Sequence, residues 1–104
     1  MFPGTMGKYV MKNSSVYAAS KFAIQGMTKA LVEELKRDNV RFSLFYLGGV
    51  NTPFWDDERV SMRVKKEAML SPDEVARTVV SAISIPGIGV VNEVVMQPES
   101  HQLV

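Results

Sequence analysis

Ser14-Ser15-Val16-Tyr17-Ala18-Ala19-Ser20-Lys21-Phe22-Ala23-Ile24-Gln25-Gly26-Met27-Thr28 opens the longest regular pattern of this 104-residue chain. Ala18, Ala19, Ala23 and Ala30 favour helix, as do the residues that follow, Leu31, Glu33, Glu34, Leu35 and Lys36. Ile24, Met27, Leu31 and Leu35 recur every three or four residues and predict one buried stripe. Asn13, Ser14 and Ser15 are candidate N-caps, and Arg37-Asp38-Asn39 is a polar exit. A helix is therefore expected over 14–38. Gly26 inside it costs up to about 1 kcal/mol relative to alanine. It either admits a close neighbour or is merely tolerated.

Working outward, Val40-Arg41-Phe42-Ser43-Leu44-Phe45-Tyr46-Leu47 is β-branched and aromatic, carries few charges and runs into Gly48-Gly49. It predicts a strand over 40–47, buried on both faces towards its end. Residues 53–70 place acids first (Asp56, Asp57, Glu58) and bases later (Arg59, Arg63, Lys65, Lys66), a surface excursion with short helical pieces. Ser71-Pro72-Asp73-Glu74 reads as a capping box with proline at the first helical position. Val75, Val79 and Ile83 continue on one face of a helix over 72–85. Pro86-Gly87-Ile88-Gly89 ends it, and 90–96 is a second strand, closed by Pro98. Residues 1–13, broken by Pro3, Gly4 and Gly7, are expected to be a loop. Helices alternating with strands imply parallel crossovers and an α/β architecture in a single domain. Two parallel strands do not make a self-sufficient sheet, so the chain reads as part of a larger domain.

Composition narrows the functions. Hydrophobic residues make up 46% and charged ones 22%, an ordinary globular balance. A formal net charge of +1 offers no field for a nucleic acid or an anionic membrane surface. With no cysteine and one histidine, His101, there is no disulfide framework, cysteine nucleophile or multi-histidine metal cluster. No segment is apolar for long enough to span a bilayer, and the start lacks the order of a secretory signal. A cytoplasmic location is the default expectation.

Tyr17 and Lys21 are the residues that carry chemistry. A spacing of four puts both side chains on one helix face. A free phenol, with a pKa of about 10, is a poor base near neutrality, but a neighbouring ammonium favours the phenolate. Such a pair can move a proton in a transition state, and the ammonium can donate to ribose hydroxyls. The spacing by itself is a weak signal; a half-exposed tyrosine beside a solvated lysine satisfies it equally.

The surroundings are more specific. The stretch from Asn13 to Thr28 closely resembles the active-site helix of the short-chain dehydrogenase/reductase family, whose Tyr-x-Ala-Ser-Lys stands here as Tyr17-Ala18-Ala19-Ser20-Lys21. The resemblance runs on through Gly26, Leu31, Glu34, Leu35 and the strand from Val40. It implies the C-terminal part of a Rossmann-like parallel sheet domain (helix, strand, lid, helix, strand) without the dinucleotide-binding N-terminal half. It implies Tyr17 as general acid/base and Lys21 as the residue that lowers its pKa and binds the nicotinamide ribose. The family turn Pro-Gly-x-Val-x-Thr corresponds to Leu47-Gly48-Gly49-Val50-Asn51-Thr52, at the carboxyl end of the strand where α/β sheets bind ligands. Backbone groups at Gly48 and Val50 and the Thr52 hydroxyl would then hold the cofactor, NAD or NADP. Leu47 replaces the usual proline and loosens the turn. Residues 53–70 fall where the family has its substrate lid, with Phe54 and Trp55 as candidate lining. Read without the family, Gly48-Gly49 is an ordinary strand-ending turn, and Phe54-Trp55 is local packing.

Two family features are missing. The catalytic serine is expected at about Gly4; Thr5 is one position away, and Ser14 and Ser15 lie too close to Tyr17. The sequence contains no G-x-x-x-G-x-G and no Asn-Ala-Gly, so it holds no glycine cradle for a pyrophosphate. The implied activity is NAD(P)-dependent carbonyl reduction or alcohol oxidation on a small molecule, with the chain inactive alone. The expected partner is a second copy or the complementary N-terminal half. The alternative is a non-catalytic association module that pairs with another subunit through its apolar helix stripe and strand edges.

Overall fold

A strand whose side chains alternate between two helices forms the centre of the molecule. In the computed structural model, which describes residues 1–103, β1 (Leu44–Leu47) pairs in parallel with β2 (Glu93–Met96). The register runs from Leu44 opposite Glu93 to Leu47 opposite Met96. α1 (Ser15–Glu34) precedes β1, and α2 (Pro72–Ile83) lies between the strands in sequence. Strand side chains alternate, so Leu44 and Tyr46 share one face and Phe45 takes the other. Tyr46 is fully buried, and Gln25 of α1 donates to its hydroxyl at 3.0 Å. Phe45 stacks on Phe2 with centroids 5.3 Å apart. With Val79, Ala82 and Ile83 of α2 it lines a cleft of about 280 Å³. The helices therefore flank the sheet, α1 closely and α2 across the cleft. No helix among the described residues is long and apolar enough to cross a membrane.

The beginning of the chain corrects the expected loop over 1–13. The Met1 ammonium donates to the Ser43 carbonyl at 2.9 Å, and the Phe45 amide donates to the Met1 carbonyl at 2.9 Å. Those two bonds follow the pattern of a parallel pairing at a single residue, without forming a third strand. Met1 thus lies along the edge of β1 opposite β2. The segment is too short for periodicity to reveal it, and Pro3 masks it as a breaker. Thr5–Gly7 then forms a 3-10 turn, with Met6 and Gly7 buried.

The other elements are shorter than expected. β1 begins at Leu44 rather than Val40, and β2 at Glu93 rather than Val90. Upstream of those residues the two segments diverge, bridged instead by the Arg41 guanidinium on the Gly87 carbonyl at 2.7 Å. α1 stops at Glu34, and Asn39 takes a positive φ of 55° in the turn that follows. Ser14 holds the N-cap position without capping: its hydroxyl donates back to the Met11 carbonyl. Of the expected apolar stripe, Ile24, Leu31 and Leu35 are half-buried and only Met27 turns outward. Ala18 and Thr28 are the buried residues of α1, with Lys21 and Gln25 half-buried beside them, whereas Met27 is 50% exposed. Where the inner face meets the 3-10 turn and the Tyr46 hydroxyl it carries the small or hydrogen-bonding side chains Ala18 and Gln25. Gly26 has no neighbour within contact distance in this chain.

The capping box of α2 forms as read. The Glu74 amide donates to the Ser71 hydroxyl at 3.2 Å, and the Ser71 amide donates to the Glu74 carboxylate at 2.9 Å. The Ser71 hydroxyl also donates to that carboxylate. The Ser71 amide first, then its hydroxyl, hold the Glu74 carboxyl below its ordinary value of 4.5. A depressed carboxyl contributes stability that is complete above its unfolded pKa and is lost as pH falls through the folded one. The protection of amides in the first turn of α2, taken relative to the intrinsic exchange rate at each pH, is therefore expected to fall on acidification below pH 4.5. Ser71→Ala is expected to produce the same fraying at neutral pH, costing about 0.5–2 kcal/mol. Protection that ignores both changes would contradict the cap.

Candidate nicotinamide-side active site

The first two turns of α1 meet the end of β1 through the loop between them. A Cβ on Gly7 would stand 3.2 Å from the Lys21 carbonyl, and one on Gly4 would stand 3.7 Å from the Leu47 carbonyl. Gln25 donates to the Gly7 carbonyl at 3.0 Å and fastens the same loop to the helix. Tyr17 and Lys21 thus sit at the end of α1 that adjoins the carboxyl end of β1. There the turn 48–52 leaves the sheet, the position at which α/β sheets bind ligands.

Tyr17 is 52% exposed. The Lys21 ammonium lies 5.3 Å from the centroid of its ring, within cation–π reach. Neither side chain joins an ion pair or side-chain hydrogen bond among the described residues. Both polar ends are therefore free for a ligand. The Ser20 hydroxyl donates to the Tyr17 carbonyl at 2.7 Å, a contact internal to the helix. The cleft beside Phe45 is not part of this site: Tyr17, Lys21 and Thr52 do not line it.

The turn after β1 is held firmly. The Gly48 amide donates to the Met96 carbonyl at 2.8 Å, and a Cβ on Gly48 would stand 2.8 Å from the Pro98 ring. Gly48 therefore serves close packing on the exit of β2. Its amide is engaged there, and its carbonyl makes no hydrogen bond among the described residues. Val50 forms a parallel bridge with Leu70. The Thr52 hydroxyl makes no cap to the 3-10 turn Pro53–Asp56 that follows it.

Gly4 stands where the family pattern has its serine. Its φ of 66° with ψ of 176° belongs to a region that only glycine enters without strain. A serine side chain at this place would need a different backbone. The Thr5 carbonyl accepts from the Lys8 and Tyr9 amides, and its hydroxyl makes no hydrogen bond among the described residues. The excursion over 53–70 contains 3-10 turns at Pro53–Asp56 and Lys66–Ala68 and no α-helix. Lys66 pairs with Asp56 at 2.7 Å across it. Phe54 is 58% exposed and meets Trp55 edge-on, with centroids 5.1 Å apart. Two contacts escaped the sequence reading: Gln25 as the bridge from helix to strand, and the Trp55 indole on the Val50 carbonyl at 2.8 Å. No periodicity signals either one.

The chain is similar to known proteins over most of its length. The model of the short chain dehydrogenase family matches residues 4–63, a stretch that includes Tyr17, Lys21 and the turn to Thr52. A sepiapterin reductase of Chlorobaculum tepidum is 33% identical over 95 residues, covering 88% of this chain and 36% of that protein. An uncharacterised oxidoreductase of Staphylococcus saprophyticus is 35% identical over 92 residues, covering 88% of this chain and 38% of that protein. Among solved structures, an alcohol dehydrogenase from the archaeon Thermococcus sibiricus, complexed with 5-hydroxy-NADP, superposes with a TM-score of 0.80. It covers 99% of this chain and 42% of that one at 20% identity, a likeness of fold. The chain belongs to the short chain dehydrogenase family and has the α/β architecture of its Rossmann-fold members. It spans 36% and 38% of the length of the two curated relatives.

Proposed function

We propose that this chain carries the proton-handling and nicotinamide-binding residues of an NAD(P)-dependent oxidoreductase acting on a small carbonyl or alcohol. The observation that carries the reading is the exposed Tyr17 phenol, with the Lys21 ammonium 5.3 Å from its ring centroid, at the end of α1 that adjoins the carboxyl end of β1. The available groups fit the nicotinamide end of the cofactor. The hydroxyls of Tyr17 and Thr52, the ammonium of Lys21 and the amide of Val50 are all donors, and carboxamide oxygen and ribose hydroxyls accept. The diphosphate finds no glycine-rich counterpart among the described residues.

When bound, the nicotinamide would supply or take up the hydride. In reduction, Tyr17 gives its hydroxyl proton to the substrate oxygen; in oxidation it takes the proton from the alcohol. Lys21 stabilises the negative charge on the phenol oxygen as that proton leaves. It also donates to the ribose. Val50 and Thr52 orient the carboxamide. Phe54, exposed beside Trp55, offers an apolar wall to the substrate.

The test supplies NADH or NADPH with a panel of ketones and follows the absorbance of the reduced nicotinamide. The purified 104-residue chain is expected to show no turnover alone, since its sequence contains no glycine-rich phosphate loop. Turnover by that chain would overturn this expectation. A second reading, a subunit-pairing module, is favoured by apolar side chains that nothing covers. Val16 of α1 is 84% exposed, and Val80 and Ile83 of α2 are 57% and 60% exposed. Partner capture that is indifferent to Tyr17→Phe, with no cofactor-linked activity in any assembly, would support the module.

A further inference from the structure

The backbone groups around Val50 are engaged unequally. The Gly49 carbonyl accepts from the Leu70 amide at 2.9 Å, and the Asn51 amide donates to the Leu70 carbonyl at 2.9 Å. The Val50 carbonyl accepts from the Trp55 indole at 2.8 Å. Three of the four groups flanking this residue are thus tied down, two by Leu70 and one by Trp55. The Val50 amide has no partner among the described residues. A parallel bridge of this register aims that amide away from Leu70. It is therefore the donor the turn leaves for a ligand.

Trp55 has a particular place in the arrangement. The peptide unit joining Val50 to Asn51 is planar, so fixing its carbonyl and its amide fixes the whole plane. Leu70 holds the amide side and Trp55 the carbonyl side. We propose that Trp55 is a positioning residue for the cofactor turn: its indole N–H locks the Val50–Asn51 peptide while the Leu70 amide holds the Gly49–Val50 peptide through the Gly49 carbonyl, so that both planes meeting at Val50, one of them carrying the free amide, are fixed. Its value to catalysis rests on the nicotinamide reading above; its hold on the turn does not. A carbonyl has two lone pairs, so the indole and a ligand donor can share the Val50 oxygen without displacement. Leu70 ends the excursion over 53–70 and Trp55 begins it. Both locks therefore come from the segment 53–70.

The test uses the full chain and backbone amide exchange by NMR, first without ligand. Trp55→Phe keeps an aromatic ring against Phe54 and removes the donor. It should speed exchange of the Asn51 and Leu70 amides about fivefold, an effect within reach of one lost hydrogen bond. Amides of α1 and of the β1–β2 ladder should be unchanged. Phe54→Ala, which keeps the indole, should exchange as the wild type does. In the wild type itself the indole N–H should exchange at least about tenfold more slowly than free indole. Unchanged Asn51 exchange in Trp55→Phe, equal acceleration in Phe54→Ala, or an unprotected indole would each overturn the proposal.

The second arm titrates reduced nicotinamide mononucleotide, which needs no diphosphate cradle, and follows the Val50 amide shift. The midpoint should rise about fivefold in Trp55→Phe. An equal midpoint in both proteins would overturn the positioning role. A wild-type Val50 amide that never moves would sink the nicotinamide reading instead, while the exchange data still decide whether Trp55 holds the turn.

Discussion

Tyr17→Phe lowers turnover roughly 10²–10⁴-fold in any assembly where this chain supports nicotinamide-linked reduction or oxidation. The substitution removes one oxygen and leaves the ring in place. That oxygen makes no hydrogen bond within the described chain, and the residue is 52% exposed. Stability should therefore stay within about 0.5 kcal/mol of wild type. The Lys21 ammonium, 5.3 Å from the ring centroid, keeps its aromatic neighbour. Cofactor affinity should fall far less than kcat, because Lys21, Val50 and Thr52 still bind. A loss confined to kcat marks an interaction made in the transition state, whereas a loss confined to KM marks binding common to ground and transition states. The second pattern, or unchanged turnover, would remove Tyr17 from the chemistry.

The largest effect on stability is expected at Tyr46. It is fully buried in β1, and truncating a buried aromatic side chain to alanine costs about 3–5 kcal/mol. The change also takes away the hydroxyl to which Gln25 donates at 3.0 Å. It removes the ring over which the Lys8 ammonium stands, 4.7 Å from its centroid. Lys8 in turn reaches Glu93 of β2 at 2.8 Å, and that hydrogen bond is the main reason its ammonium is held above the usual lysine range. One side chain thus joins α1, β1, β2 and the loop before α1. Whole domains have about 5–15 kcal/mol in total, so Tyr46→Ala should remove much of the cooperative unfolding transition seen by circular dichroism in urea. Tyr46→Phe keeps the ring and should cost only about 1 kcal/mol. Equal stability of the alanine and phenylalanine variants would show that the core lies elsewhere.

The parts of this fold that were legible in the sequence are those governed by local chemistry. Ser71 and Glu74 announce the start of α2 because a capping box is complete within four residues. Tyr17 and Lys21 announce a shared helix face because their spacing matches one turn. What was not legible depends on neighbours distant in sequence. Met1 is strand-like only because Ser43 and Phe45 supply its partners. Met27 suits an inner stripe by periodicity, yet it turns outward, while the inner face carries Gln25 to the Gly7 carbonyl and the Tyr46 hydroxyl. Gly48 fits the family turn by pattern, but Met96 and Pro98 decide what its backbone does. The Trp55 contact has the same origin: an indole is apolar in any hydropathy count, and its single donor finds a carbonyl that only the folded turn presents.

On the proposed reading, the Tyr17 phenol and the Thr52 hydroxyl border one space at the carboxyl end of β1. Intermolecular nuclear Overhauser effects from the nicotinamide ring protons of NADPH, in an assembly that binds it, test this directly. Cross-peaks to both the Tyr17 ring and the Thr52 methyl group are expected. Cross-peaks to the cleft residues Phe45 and Val79, with none to Tyr17, would contradict it.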